Sequence, residues 1–91
     1  MFHVLICTDK PDHEAVRLDN RAAHLEHLKA DAHVRQAGPF VNAAGAMAGS
    51  LIVFETDDRA HVEAFAAADP YAKAGLFAAV RIEAWNRVID R

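Results

Sequence analysis

Hydrophobic residues fall along this chain in blocks whose spacing changes from strand-like to helix-like and back. Phe2 to Thr8 reads FHVLICT, almost continuously apolar, which predicts an interior strand ended by Asp9-Lys10-Pro11-Asp12. From His13 to Ala32, Ala15, Leu18, Ala22, Leu25, Leu28 and Ala32 recur every three or four residues. That spacing predicts a long helix with one buried stripe, capped by Asp12, with Glu14 near its positive end. Val34 to Phe40, VRQAGPF, predicts a short strand whose pairing stops or bulges at Gly38-Pro39, because proline lacks a ladder donor.

Val41 to Gly49 is rich in Ala and Gly and reads as a mobile connection. Ser50 to Glu55, SLIVFE, is the strongest strand signal. Thr56-Asp57-Asp58 supplies helix-start chemistry for a second helix running to about Ala68, with Val62, Phe65 and Ala66 facing inward. Asp69 precedes Pro70 and so avoids the helical region, which ends that helix, and Pro70 can open a new turn through Lys73. After Gly75, Ala79 to Trp85 alternates, with Val80, Ile82 and Ala84 on one face and Arg81, Glu83 and Trp85 on the other, as in a half-buried strand. The tail Asn86 to Arg91 extends that strand or pairs with a partner.

Strand, helix, strand, strand, helix, strand is the split βαβ order of an α+β, ferredoxin-like βαββαβ sandwich. Both helices then cover one sheet face. The other face, carrying side chains such as Leu5 or Trp85, needs cover as well, and a second subunit stacked sheet to sheet supplies it. A homodimer is therefore expected.

Length and charge narrow the function. Ninety-one residues suit one domain, 1–91. The net charge of -3, with ten basic residues scattered among thirteen acids, leaves no basic stripe for nucleic acid. No stretch approaches the ~20 apolar residues that cross a bilayer, and the start has no basic leader, so the expected location is cytoplasmic. Cys7 is the single cysteine, so no internal disulfide is expected and a buried, inert thiol is. The glycines at 38, 45, 49 and 75 lack phosphate-loop spacing, and no cofactor is expected.

Several residues have the chemistry of a site, each with an ordinary alternative. Arg21 and His24 lie three apart on one face of the first helix, roughly 100° from the predicted core stripe. His24 is either a base or acid working near neutral pH or a surface histidine in a chain with six. Asp69 can fix the tautomer of a histidine, or cap the turn at Pro70, or do both. Ser50 either bonds a ligand or ends a loop, and no GxSxG elbow marks it as a nucleophile. Gly38-Pro39 shapes a pocket wall or merely ends a strand. Tyr71 closes a pocket or packs at a subunit contact. A helical His24, His27 and Asp31 cluster can be drawn, but HxxH without further ligands is a weak zinc pattern, and no metal is expected.

FHVLICTDKPD, RAAHLEHL, AGPF, GSLIVFE and ADPYAKAGLF, followed by the closing strand, resemble in their order the YciI-like, or YCII-related, family from Phe2 to about Val88. The resemblance implies a ferredoxin-like dimeric α+β fold of the barrel-forming type. It also implies a pocket around a His-Asp pair at His24 and Asp69, lined at the position of Ser50. Arg21, Gly38, Pro39 and Tyr71 match further motif positions. The 41–48 connection is shorter than the insertions of some members. One branch of the family is a dehydrochlorinase of a chlorinated hydroxymuconate. By that analogy the chain is a cofactor-independent enzyme, with His24 as general base in proton transfer or elimination on a small, anionic organic acid. Asp69 then orients His24, and Arg21 attracts a carboxylate. The alternative is a non-catalytic dimeric module that binds a small ligand or serves an accessory role.

Overall fold

A computed structural model describes residues 1–91 as β1 (Phe2–Asp9), α1 (Glu14–Ala30), β2 (Val34–Val41), β3 (Met47–Glu55), α2 (Arg59–Ala68), α3 (Pro70–Lys73) and β4 (Phe77–Trp85). The strands form one antiparallel sheet in the order β2-β3-β1-β4. The expected ferredoxin-like order is thus present, with the two most apolar strands, β1 and β3, at its centre.

The core lies between the sheet and α2. Leu5, Cys7, Ile52 and Phe54 point down from the sheet onto Val62 and Phe65, and Leu28, Val34, Ala66, Phe77 and Ile82 pack around them. Leu5, paired with Ile52 and Ile82, is completely buried beneath the helices and does not lie on the open face as expected. A run apolar at both parities does not reveal which parity faces the helices. Trp85 does belong to the open face, edge-on to Phe2, beside a shallow hollow lined by Val4, Ile6, Leu51 and Val53.

The first helix turns a different face inward from the predicted one. Its buried residues are Arg17 and His24; Leu25 and Leu28 are half-buried, while Ala15, Leu18, Ala22 and Ala32 are exposed. The helix is rotated by roughly a quarter turn from the apolar stripe, because what it covers at this end of the sheet is polar. Asp12 does not cap it: the residue sits at φ 60°, and His13 takes the cap position with its ring bonded to the Pro11 carbonyl oxygen at 2.8 Å. At the second helix the expectation holds, Asp58 accepting from the Ala60 N–H at 3.0 Å.

β2 does not stop at Gly38-Pro39. Pairing continues past Pro39, opposite Ser50, to Val41, and its irregularities fall between Val34 and Gln36 and between Phe40 and Val41. β2 is an edge strand, so a proline placed away from its one neighbour costs the ladder nothing. Nor is 41–49 a loose connection. Asn42 N–H donates to the Ala46 carbonyl at 2.9 Å, and Asn42 Oδ1 accepts from Ala44 and Ala46, closing a tight hairpin with Gly45 at φ 83°. Gly49 must lack a side chain, since a Cβ there would collide with the carbonyl oxygen of Cys7.

Candidate functional site

The polar face of α1 explains its own burial. Arg17, Arg21, His24 and Leu28 are spaced i, i+4, i+7 and i+11, one line along the helix. Arg17 meets the end of β1. Its Nε donates to Asp9 Oδ2 at 2.7 Å and its Nη2 to Asp9 Oδ1 at 2.9 Å, the two-pronged geometry that matches a guanidinium to a carboxylate. Nη2 also donates to Ser50 Oγ at 3.0 Å. Burial opposes the charge on Arg17, but the Asp9 carboxylate outweighs it and raises the guanidinium pKa above its ordinary value.

Two turns further on, His24 meets the start of α3. Asp69 caps that short helix, its Oδ1 accepting from the Tyr71 N–H at 2.9 Å. The same oxygen lies 2.9 Å from His24 Nδ1, and Oδ2 lies 3.1 Å from it. The carboxylate therefore performs both jobs weighed for it, and Oδ1 takes part in each. A carboxylate accepts, so Nδ1 carries a proton, and in the neutral ring the lone pair is then on Nε2. Tyr71 lies against His24, ring centroids 3.9 Å apart and planes 18° from parallel, and the Arg17 guanidinium sits 4.6 Å from the Tyr71 centroid. Burial raises the pKa of the Tyr71 phenol above its ordinary value, against the pull of Arg17 and Arg21.

Arg17, His24, Ser50 and Tyr71 border a cavity of about 110 Å³ that Gly38-Pro39 also lines, with Asp69 and Asp9 bonded to them from behind. His24, Asp69, Ser50 and Tyr71 are buried, whereas Arg21 is exposed at the cavity edge and enters none of the ion pairs. Gly38 is not required for close packing, since a Cβ there would meet nothing within 4 Å. Ser50 lies within β3 and not at a loop end. The drawn His24, His27 and Asp31 cluster comes apart: the His27 ring nitrogen lies 3.0 Å from the Phe65 carbonyl oxygen, and Asp31 Oδ2 lies 2.7 Å from His61 Nε2. Cys7 is buried beside the site, its thiol pushed up to about 12 by burial and then by the negative charge of Asp69.

Arg17 and Asp9 were absent from the sequence expectation. Asp9 read as loop punctuation, and Arg17 is one of ten basic residues. A signal was present in the spacing of Arg17, Arg21 and His24, which aligns three nitrogen-bearing side chains on one helix face. It points to a site only once that face is known to turn inward.

Known proteins share this architecture and more. Residues 1–86 match the family model of the YCII-related domain. Protein YciI of Escherichia coli is 32% identical over 97% of this chain and 99% of its own. Among solved structures, 5-chloro-2-hydroxyhydroquinone dehydrochlorinase (TftG) of Burkholderia phenoliruptrix AC1100, in complex with 2,5-dihydroxybenzoquinone, superposes with a TM-score of 0.87 at 36% identity over 94% of each chain. The reaction named for it concerns a chlorinated hydroxyhydroquinone, a ring compound, where the sequence resemblance suggested a muconate. An antibiotic biosynthesis monooxygenase structure shares the fold alone, with a TM-score of 0.62 at 14% identity over 98% of this chain and 100% of its own. With the matching domain covering nearly the whole chain and relatives above 30% identity along its length, the protein belongs to the YCII-related domain family.

Proposed function

We propose that this protein is a cofactor-independent, lyase-like enzyme that removes a proton and a leaving group from a small organic acid or acidic enol. The observation that carries the reading is the bond from His24 Nδ1 to Asp69 at 2.9 Å, made beside a cavity that also borders two arginines. Asp69 holds the imidazole in the tautomer whose Nε2 can accept a proton, and stabilises the imidazolium that results. Arg17, fixed by Asp9, and Arg21, free at the cavity edge, supply positive charge for an anionic substrate. Ser50 and the Gly38-Pro39 wall shape the space. The similarity to a dehydrochlorinase supports elimination of chloride as the reaction class.

The working unit is a homodimer. The open sheet face, with Val4, Ile6, Leu51, Val53 and Trp85, offers an apolar surface for a second copy to cover. The reading is tested by supplying chlorinated hydroxyhydroquinones and muconate-like acids and following chloride release, with His24→Ala as control. Release that depends on His24 supports the base. Release unaffected by His24→Ala removes the mechanism, and tight binding without any turnover assigns the cavity to a ligand-binding module instead.

A further inference from the structure

Two groups on the cavity wall have capacity to spare. His24 uses Nδ1 on Asp69, and no bond is made by Nε2. No fully buried side-chain nitrogen or oxygen in the molecule is without a partner, so Nε2 touches open space. Tyr71 has its backbone N–H held by Asp69, and its phenol lies within hydrogen-bonding reach of the Arg17 guanidinium, whose Nε and Nη2 also serve Asp9 and Ser50. A phenol oxygen that accepts from Arg17 keeps its own O–H free to donate. His24, Arg17 and Tyr71 all line the cavity of about 110 Å³.

The phenol among them is held firmly. Its ring is stacked on His24 at 3.9 Å, meets Phe77 edge-on at 6.0 Å, and lies beneath the Arg17 guanidinium at 4.6 Å. A donor that is fixed before substrate arrives needs no reorganisation when charge develops near it. We propose that Tyr71 is a further catalytic residue, its hydroxyl donating a hydrogen bond to the substrate oxygen that becomes negative as His24 takes the proton. The corresponding substrate class is small carbonyl or enol acids with a leaving group β to the carbonyl. This rests on the elimination reading above.

The step balances without a co-reactant. His24 Nε2 takes the proton from the carbon next to the carbonyl. The C–H electron pair forms a carbon–carbon double bond, and the carbonyl pair moves to oxygen, where Tyr71 O–H meets the charge and keeps its own proton. As the carbonyl re-forms, the electron pair shifts to a new double bond toward the β carbon, and chloride leaves with the C–Cl pair. His24 returns its proton to solvent, so the net loss is HCl. Burial keeps the Tyr71 proton in place, and Arg17 and Arg21 polarise the group in the opposite sense. Size limits the substrate too: about 110 Å³ is less than the roughly 150 Å³ that holds benzene, so a short open chain fits inside and a ring must project through the open edge beside Arg21.

Tyr71→Phe removes one oxygen and keeps the stacked ring. Two measurements on the full-length protein test the proposal: absorbance titration with 2,5-dihydroxybenzoquinone, and chloride release from whichever panel substrate is turned over. The expected result is quinone affinity lower by about tenfold or more and kcat lower by about a hundredfold, with an unchanged melting temperature. Wild-type protein that fails to bind the quinone at millimolar concentration overturns the proposal, as does a Tyr71→Phe variant that binds it like wild type. Turnover lost in His24→Ala but intact in Tyr71→Phe overturns the role of Tyr71 and leaves the elimination reading standing. Tyr71-dependent quinone binding with no turnover of any substrate overturns the elimination reading and the catalytic role of Tyr71 with it, leaving Tyr71 as a ligand contact.

Discussion

Arg17 and Asp9 form a two-pronged ion pair inside the molecule, with bonds of 2.7 and 2.9 Å and side chains only 2% and 6% exposed. Few residues in so small a domain are so completely withdrawn from water, and here they are opposite charges, of which Arg17 lines the cavity. Removing one partner of a buried pair strands the other, at a cost of about 3–5 kcal/mol. Asp9→Ala should therefore lower stability by about that amount in urea denaturation. Asp9→Leu combined with Arg17→Met should recover much of the loss, because no charge is left stranded, while abolishing anion binding in the cavity. A double variant as unstable as the single one would show that the pair itself, and not its desolvation, holds this end of α1.

Asp69 serves two neighbours, and the two services can be separated. Asparagine caps a helix about as well as aspartate, so Asp69→Asn should retain stability within about 0.5 kcal/mol. It cannot supply the negative charge that steadies a protonated imidazole, so turnover should fall by about a hundredfold or more. Asp69→Ala should lose both, with about 1 kcal/mol of stability gone along with activity. Thermal melts beside chloride release make the comparison, and equal turnover by Asp69→Asn and wild type would remove Asp69 from the mechanism.

Stability should decline in alkali for a definable reason. Cys7 rises from an ordinary 9.0 to about 12 on folding, and the Tyr71 phenol is also raised, each chiefly through burial. Both are acids that hold their protons more tightly in the folded state. Their contribution is complete below pH 9 and is lost as the pH climbs toward about 12. Urea midpoints measured at intervals across that range should fall steadily, and Cys7→Ala with Tyr71→Phe should flatten the slope. The same burial predicts that thiol reagents modify Cys7 at neutral pH only as fast as the protein opens.

The open sheet face supplies the test of assembly. Leu51 and Ile6 lie on it in neighbouring strands, paired directly. Ile6→Glu should convert a sedimenting dimer into a monomer and reduce stability, since a stable interface buries on the order of 1,600 Å² and tolerates no unpaired charge at its centre. A wild-type protein already monomeric at micromolar concentration would dismiss the stacked dimer.

Much of the architecture was legible locally. The apolar runs FHVLICT and SLIVFE announced the two central strands, and Asp58 and Asp69 announced two helix starts, because strand propensity and capping depend on near neighbours. The pairing of His24 with Asp69 was expected from the family's motifs, and from the residues alone only as one option beside a surface histidine and a plain cap. Where the expectation failed, the deciding partner was distant in sequence. Gly38-Pro39 predicts a stop or a bulge, but only the position of β2 at the sheet edge lets pairing run on past Pro39. Leu5 lies under the helices and not on the open face, because a strand apolar on both sides carries no record of which side the helices will cover.

By itself, then, the sequence determined the succession of elements, the central strands and the chemical types available for a site. Which way α1 turned was decided only in the folded molecule. Its apolar stripe predicts one face, but Asp9, Ser50 and Asp69 arrive from β1, β3 and α3 and bond to Arg17 and His24, so the helix settles with its polar line inward. Hydrophobic spacing reports what a helix would bury against an apolar surface. A buried polar surface, assembled from residues up to forty-five positions away, overrides it, because charged and polar groups removed from water must find partners and an exposed leucine need not.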